Sequence, residues 1–297
     1  MAGAPVIVEL RGRLGNQLFE FAAGYALSRR LGCPLLFSSR RLWGAPLELH
    51  RLIGGLYREA SLGQLLRVGR FDYRTHGMLH LDSVWGGAAR TWSRLTGHAL
   101  IVDSDARQVF DAHVLEARPP CVLRGYFETE LYFSDCASDV QHAIQLPPLD
   151  DVLPAGLSRP IVGVSFRRGD FNTSAGTLPL EYYEVALSSL CKRVQPGTLM
   201  VFGDDPVFNE LAQPWLERFG PVVNGERPTG DPLVALALLA ACDHHVIANS
   251  TFSWWGAWLG ERRAPTSGER VVLAPADWRR GRPAPDVIPD RWTAVSW

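Results

Sequence analysis

The feature that most constrains the fold is the stretch from Ile161 to Phe171, which reads Ile-Val-Gly-Val-Ser-Phe-Arg-Arg-Gly-Asp-Phe. Ile161 to Phe166 is apolar apart from Gly163 and Ser165 and rich in β-branched and aromatic side chains. A strand buried on both faces of a parallel sheet has this composition. Charge follows abruptly in Arg167, Arg168 and Asp170. Open α/β sheets bind ligands beyond the carboxyl ends of their strands, so these three residues are expected at a cleft mouth. Two adjacent guanidinium groups there suit an anion, because their planar forks match phosphate oxygens two at a time and keep their charge. A surface Arg-Asp pair closing a loop would give the same pattern.

With 297 residues, 46% of them hydrophobic and 21% charged, the chain suits one large globular domain or two smaller ones. A formal net charge of -1 argues against nucleic-acid binding through bulk electrostatics and leaves room for a local basic site. No basic, long-apolar leader is visible at the start, and the longest apolar run, Leu233 to Cys242, is half of the roughly 20 residues that a spanning helix needs. Cys33, Cys121, Cys136, Cys191 and Cys242 are scattered and odd in number, as reduced, mostly buried thiols of a cytoplasmic protein would be. The histidines lack metal-ligand spacing, so no zinc site is expected.

Further along the chain the phosphate theme recurs. Val6 to Leu10 reads as a strand and Gln17 to Leu31 as a helix, with Gly12 and Gly15 in the turn between them. Such a turn lets backbone approach an anion at a helix N-terminus, although a ligand-free βα turn looks the same. Helices are predicted over Leu62 to Val68, Leu131 to Ile144, Leu180 to Cys191, Asn209 to Phe219, Asp231 to Ala241 and Phe252 to Leu259. Strands are predicted over Val122 to Phe127, Thr198 to Phe202 and His245 to Ala248. The prolines between Leu146 and Pro160 mark a linker. Asn249-Ser250-Thr251 opens the last of these helices and is either a second phosphate cradle or simple N-capping. Trp254, Trp255 and Trp258 read as packing rather than sugar platforms. Asp103-Ser104-Asp105 has the D-x-D form that can hold a divalent metal against a nucleotide diphosphate, or it is a solvated turn.

Five stretches taken in order resemble the GDP-fucose-dependent α-1,2-fucosyltransferases: Gly12-Arg-Leu-Gly-Asn-Gln-Leu-Phe19, Gly125-Tyr-Phe127, Arg167-Arg-Gly-Asp-Phe171, Phe202-Gly-Asp-Asp205, and Asn249 to Leu259. The resemblance implies an α/β fold of GT-B type, with two Rossmann-like domains facing a cleft: residues 1–146 on the acceptor side, a linker over 147–160, and a nucleotide-sugar-binding domain over 161–297. It implies an inverting transfer of fucose from GDP-fucose to the 2-hydroxyl of a galactoside. Partners would be a nucleotide sugar and a glycan, with no cofactor and no metal, and peripheral membrane contact is left open. By the same resemblance Arg167 and Asp170 are catalytic. Gly15, Asn16, Arg168, Asp204, Asp243, Asn249, Ser250, Thr251 and Phe252 bind the donor, with Asp204 on the nucleoside and Asp243 taking part in nucleotide recognition.

Departures from the family pattern open other readings. Ser165 stands where histidine is common, Glu128 where glutamine is usual, and Ala235 near an expected acidic position. A different donor or a metal-dependent transferase follows from Ser165 and the Asp103-Ser104-Asp105 triplet, and a non-catalytic binder from the departures together. Gly163-Val-Ser165-Phe-Arg167 also approximates the nucleophile elbow of a serine hydrolase, with Arg167 in place of its last glycine. Glu128 and Asp170 are the carboxylates considered for a general base.

Overall fold

The structure is a computed structural model that describes residues 4–42, 45–60, 100–104, 109–149, 153–168, 176–225, 230–266, 268–279 and 286–297. They fall into two compact units, Met1–Ala143 and Ile144–Trp297. The helix expected over Leu62 to Val68 lies outside the described residues.

In the first unit β1 (Val6–Glu9), β2 (Leu35–Ser38), β3 (Leu100–Ser104) and β4 (Cys121–Gly125) form a parallel sheet in the order β2-β1-β4-β3. The first helix, α1 (Leu14–Leu31), lies so close to β1 that a Cβ on Gly24 would stand 2.2 Å from a Val8 methyl. It begins three residues before the predicted start because Gly12 alone takes the left-handed conformation, at φ 65°. Gly15 and Asn16 therefore belong to the first helical turn. Gln17 pins that turn by donating to the carbonyls of Gly12 (3.0 Å) and Pro46 (2.9 Å). A short helix, α2 (Leu49–Ile53), follows β2. The helix predicted over Leu131 to Ile144 is instead two single 3-10 turns followed by α3 (Ala137–Ala143). Thr129 starts this run by accepting the Leu131 amide at 3.2 Å, and Asp135 is drawn to Arg30 at 2.7 Å, which breaks regular propagation.

The second unit is a six-stranded parallel sheet of order β10-β9-β8-β5-β6-β7. Its strands are β5 (Ile161–Phe166), β6 (Thr198–Gly203), β7 (Val222–Asn224), β8 (His244–Val246), β9 (Val272–Pro275) and β10 (Thr293–Val295). The opening strand of the unit is thus central: the chain winds outward through β6 and β7, then returns to β8 on the other side. Between β5 and β8 lies the topological switch point of a doubly wound sheet.

Alternation along β5 supplies both cores. Val162, Val164 and Phe166 join Tyr182, Tyr183, Leu187 and Leu190 of α4 (Leu180–Cys191), with Ala212 and Leu216 of α5 (Pro206–Leu216). Ile161, with Met200 and Phe202, packs on Ala237, Leu238 and Leu239 of α6 (Pro232–Ala241). The final helix, α7 (Thr251–Gly260), buries Trp254, Trp255 and Trp258 completely or nearly so, and the Trp254 indole donates to Val287 O at 2.7 Å. These tryptophans are core. The segment expected as a linker also belongs to this unit: Leu146, Leu149, Leu153 and Leu157 pack on its second core. Among the described residues no helix is long and apolar enough to cross a membrane.

Candidate active site

Strand register decides what meets at the switch point. Val164 pairs with Val246, so Arg167 and Asn249 each stand three residues beyond paired positions on neighbouring parallel strands. Phe166 pairs with Gly203, which brings Asp204 beside Arg167. One carboxylate oxygen of Asp204 lies 2.8 Å from the Arg167 guanidinium, and the other accepts the Arg168 amide at 2.7 Å. Arg168 is held differently, its guanidinium carbon 3.6 Å above the Phe208 ring. Phe208 reaches that position because Asp205 caps α5, accepting the Phe208 amide at 3.0 Å, with Pro206 in the first turn.

The third contribution comes from α7. Ser250 is its N-cap but makes no side-chain capping bond, and Thr251 is its first residue. The amides of a first helical turn have no acceptor within the helix and carry the positive end of its dipole. Phe252 packs partly into the core beneath. Asn249 donates its amide NH2 to Gly176 O at 2.7 Å, which leaves its side-chain oxygen buried with no partner among the described residues. The Ser165 hydroxyl, one residue before the end of β5, is buried and unpartnered in the same sense. Buried polar atoms without partners are uncommon in native folds, and a ligand or water can complete their bonding. Two fixed guanidinium groups after β5 and a helix N-terminus after the neighbouring strand β8 have chemistry that suits an anion.

The geometry corrects two expectations and places two further residues. Asp243 precedes β8 and therefore lies at the amino edge of the sheet, opposite Arg167. Its carboxylate accepts Arg159 at 2.8 and 2.9 Å, the Ile161 amide at 2.7 Å and the Thr266 amide at 3.0 Å. Burial pushes the Asp243 pKa up, but these amides and the Arg159 guanidinium outweigh it and hold the carboxyl below its ordinary value. It is a structural anchor, not a donor contact. Ser165 lies within a regular strand rather than on a sharp turn, so the nucleophile-elbow reading fails. His244 and His245, next to Asp243, are core groups: burial drives the His245 pKa down to about 3 while its ring bonds Leu239 O at 2.8 Å. Asp170 and Asp105 lie outside the described residues.

At the carboxyl edge of the first sheet the structure gathers a second polar group that sequence reasoning largely missed. Glu9 pairs with Arg124 (2.6 Å) and Arg41 (3.2 Å). Glu20, fully buried on α1, accepts the Arg11 amide at 2.8 Å through one oxygen, and the other has no partner among the described residues. Burial raises the Glu20 pKa well above its ordinary value; the Arg11 amide and guanidinium oppose the shift, and Glu128 and Glu9 add to it. Glu128 is itself buried and follows Phe127, whose φ of 50° is unusual for a bulky residue. A lone acidic residue among the apolar positions of α1 was the available signal.

Two parallel sheets, the second doubly wound, give the α/β architecture of GT-B type. The chain belongs to glycosyl transferase family 11, whose model matches residues 110–279. Over 132 residues it is 31% identical to the O-antigen biosynthesis glycosyltransferase WbnK of Escherichia coli, a match that covers 42% of this chain and 41% of that protein. It is 24% identical to an alpha-1,2-colitosyltransferase of Escherichia coli across 98% of both chains. The mouse galactoside 2-alpha-L-fucosyltransferase Sec1 is 26% identical over 90% of this chain and 66% of its own length. In fold the chain is similar to Arabidopsis thaliana FUT1, whose structure was solved as a point mutant in complex with GDP, at a TM-score of 0.55, 15% identity, and coverage of 95% of this chain and 72% of that one.

Proposed function

We propose that the chain transfers fucose from GDP-fucose to the 2-hydroxyl of a galactoside, with inversion and without a metal. The observation that carries this is Arg167 at the carboxyl end of β5, braced by Asp204, with α7 beginning after the neighbouring strand β8. In the reaction the bond from the sugar's anomeric carbon to the diphosphate breaks, and GDP leaves with the electron pair. The acceptor oxygen bonds to that carbon from the opposite face, and its proton passes to a base. Charge therefore builds on the diphosphate, where Arg167, Arg168 and the amides of Thr251 and Phe252 stabilise it. The names of Sec1 and of the GDP-bound plant enzyme support the donor, bond and acceptor chosen.

Asp170 and Glu128 remain the two carboxylates assigned to the acceptor's proton. In a transfer assay, whichever of Asp170→Asn and Glu128→Gln removes the base should lower kcat about a hundredfold or more and flatten the acidic limb of its pH profile. Arg167→Ala should lower transfer by roughly 10² to 10³. Unchanged transfer in that variant would remove Arg167 from the mechanism.

A second reading keeps the bond and changes the sugar. The full-length likeness to a colitosyltransferase favours a colitosyl donor. GDP release measured with GDP-fucose and with GDP-colitose over a panel of galactosides separates the two readings. Release from neither would remove both.

A further inference from the structure

We propose that Asp204 is a positioning residue, one that holds Arg167 for the departing diphosphate while weakening the binding of the nucleotide itself. The inference rests on the donor site proposed above and assigns Asp204 a task other than nucleoside contact. Its two oxygens are divided between consecutive residues of the neighbouring strand end, the Arg167 side chain at 2.8 Å and the Arg168 amide at 2.7 Å. Asp204 is itself held from both sides. A Cβ on Gly203 would stand 2.3 Å from the Asn209 side-chain oxygen, so the strand end lies tight against α5, and Asp205 on the other side caps that helix. Arg167 is only 17% exposed and Asp204 25%, which makes their pairing less screened than that of a surface ion pair.

Such a carboxylate acts on the two stages of the reaction in opposite senses. A diphosphate approaching Arg167 meets a guanidinium already paired with an anion, and like charge opposes its entry. Once bound, the same carboxylate fixes the guanidinium where charge develops as the sugar leaves, and only interactions that strengthen in the transition state raise kcat. A purely structural residue would move affinity, rate and stability in the same direction.

Two variants separate charge from geometry. Asp204→Asn removes the charge and keeps an oxygen for the Arg168 amide; Asp204→Glu keeps the charge and displaces it. GDP affinity by calorimetry, kcat by transfer assay and thermal melting are measured on the full chain with each. The expected result is GDP binding about three- to tenfold tighter in Asp204→Asn and no tighter than wild type in Asp204→Glu, with kcat down about 10- to 100-fold in both. In an Arg167→Ala background Asp204→Asn should lower kcat no further. Weaker GDP binding in a folded Asp204→Asn, or an unchanged kcat in both variants, overturns the proposal. Should Asp204→Asn fail to fold, tighter GDP binding or an unchanged kcat in folded Asp204→Glu does so. If the wild-type chain does not bind GDP, the donor site itself is wrong and this role falls with it.

Discussion

Glu20 shows how one residue can set a condition on the fold. Its carboxyl is buried on α1 with a single bonded oxygen, and its pKa is raised above the ordinary value of 4.5. A carboxyl that resists ionisation in the fold but ionises freely in the unfolded chain favours the fold below the unfolded pKa, and that favour is lost as pH rises toward the folded one. Glu20→Gln keeps an oxygen for the Arg11 amide and cannot ionise. Its melting temperature should match wild type near pH 4 and exceed it by an amount that grows toward pH 8. A difference that does not change with pH would show that Glu20 ionises in the fold as readily as in the unfolded chain. Asp243 teaches the complementary lesson. Its place before a strand of a parallel sheet already puts it at the amino edge, away from the ligand side, and that signal could have excluded it as a donor contact.

Among elements, β5 was the most legible, because an apolar run ending in Arg167-Arg168 carries both its burial and its direction in the sequence. The start of α1 was misplaced by three residues because Gly12 and Gly15 look alike in sequence and differ only in backbone conformation. β2, β3, β7, β9 and β10 escaped prediction: they have three to five residues each, too few to show a period. Pairing across the site, such as Asp204 with Arg167 or Arg168 over Phe208, depends on register between strands far apart in sequence and could not be read locally. Close packing of α6 on α7 adds a test at this scale. A Cβ on Gly256 would lie 2.3 Å from Leu239, so Gly256→Val should destabilise the second unit by about 1–3 kcal/mol, read as a lower melting temperature. An unchanged melting temperature would mean that the two helices can separate without loss.

For the molecule as a whole, the proline-rich segment expected as a linker packs on the core of the second of the two units through Leu146, Leu149, Leu153 and Leu157. The proposed chemistry places the charge of the leaving group on arginines and helix amides, so transfer should be insensitive to EDTA. Loss of activity restored by Mn²⁺ would return the Asp103-Ser104-Asp105 triplet to the mechanism. In the proposed reaction the second unit holds a guanosine diphosphate at the β5/β8 switch point. Hydrogen exchange on the intact chain, with and without saturating GDP, tests it most directly. Slower exchange of the amides of Arg168, Thr251, Phe252 and Ser253, abolished by Arg167→Ala, is the predicted result; GDP binding that leaves these amides unprotected would contradict it.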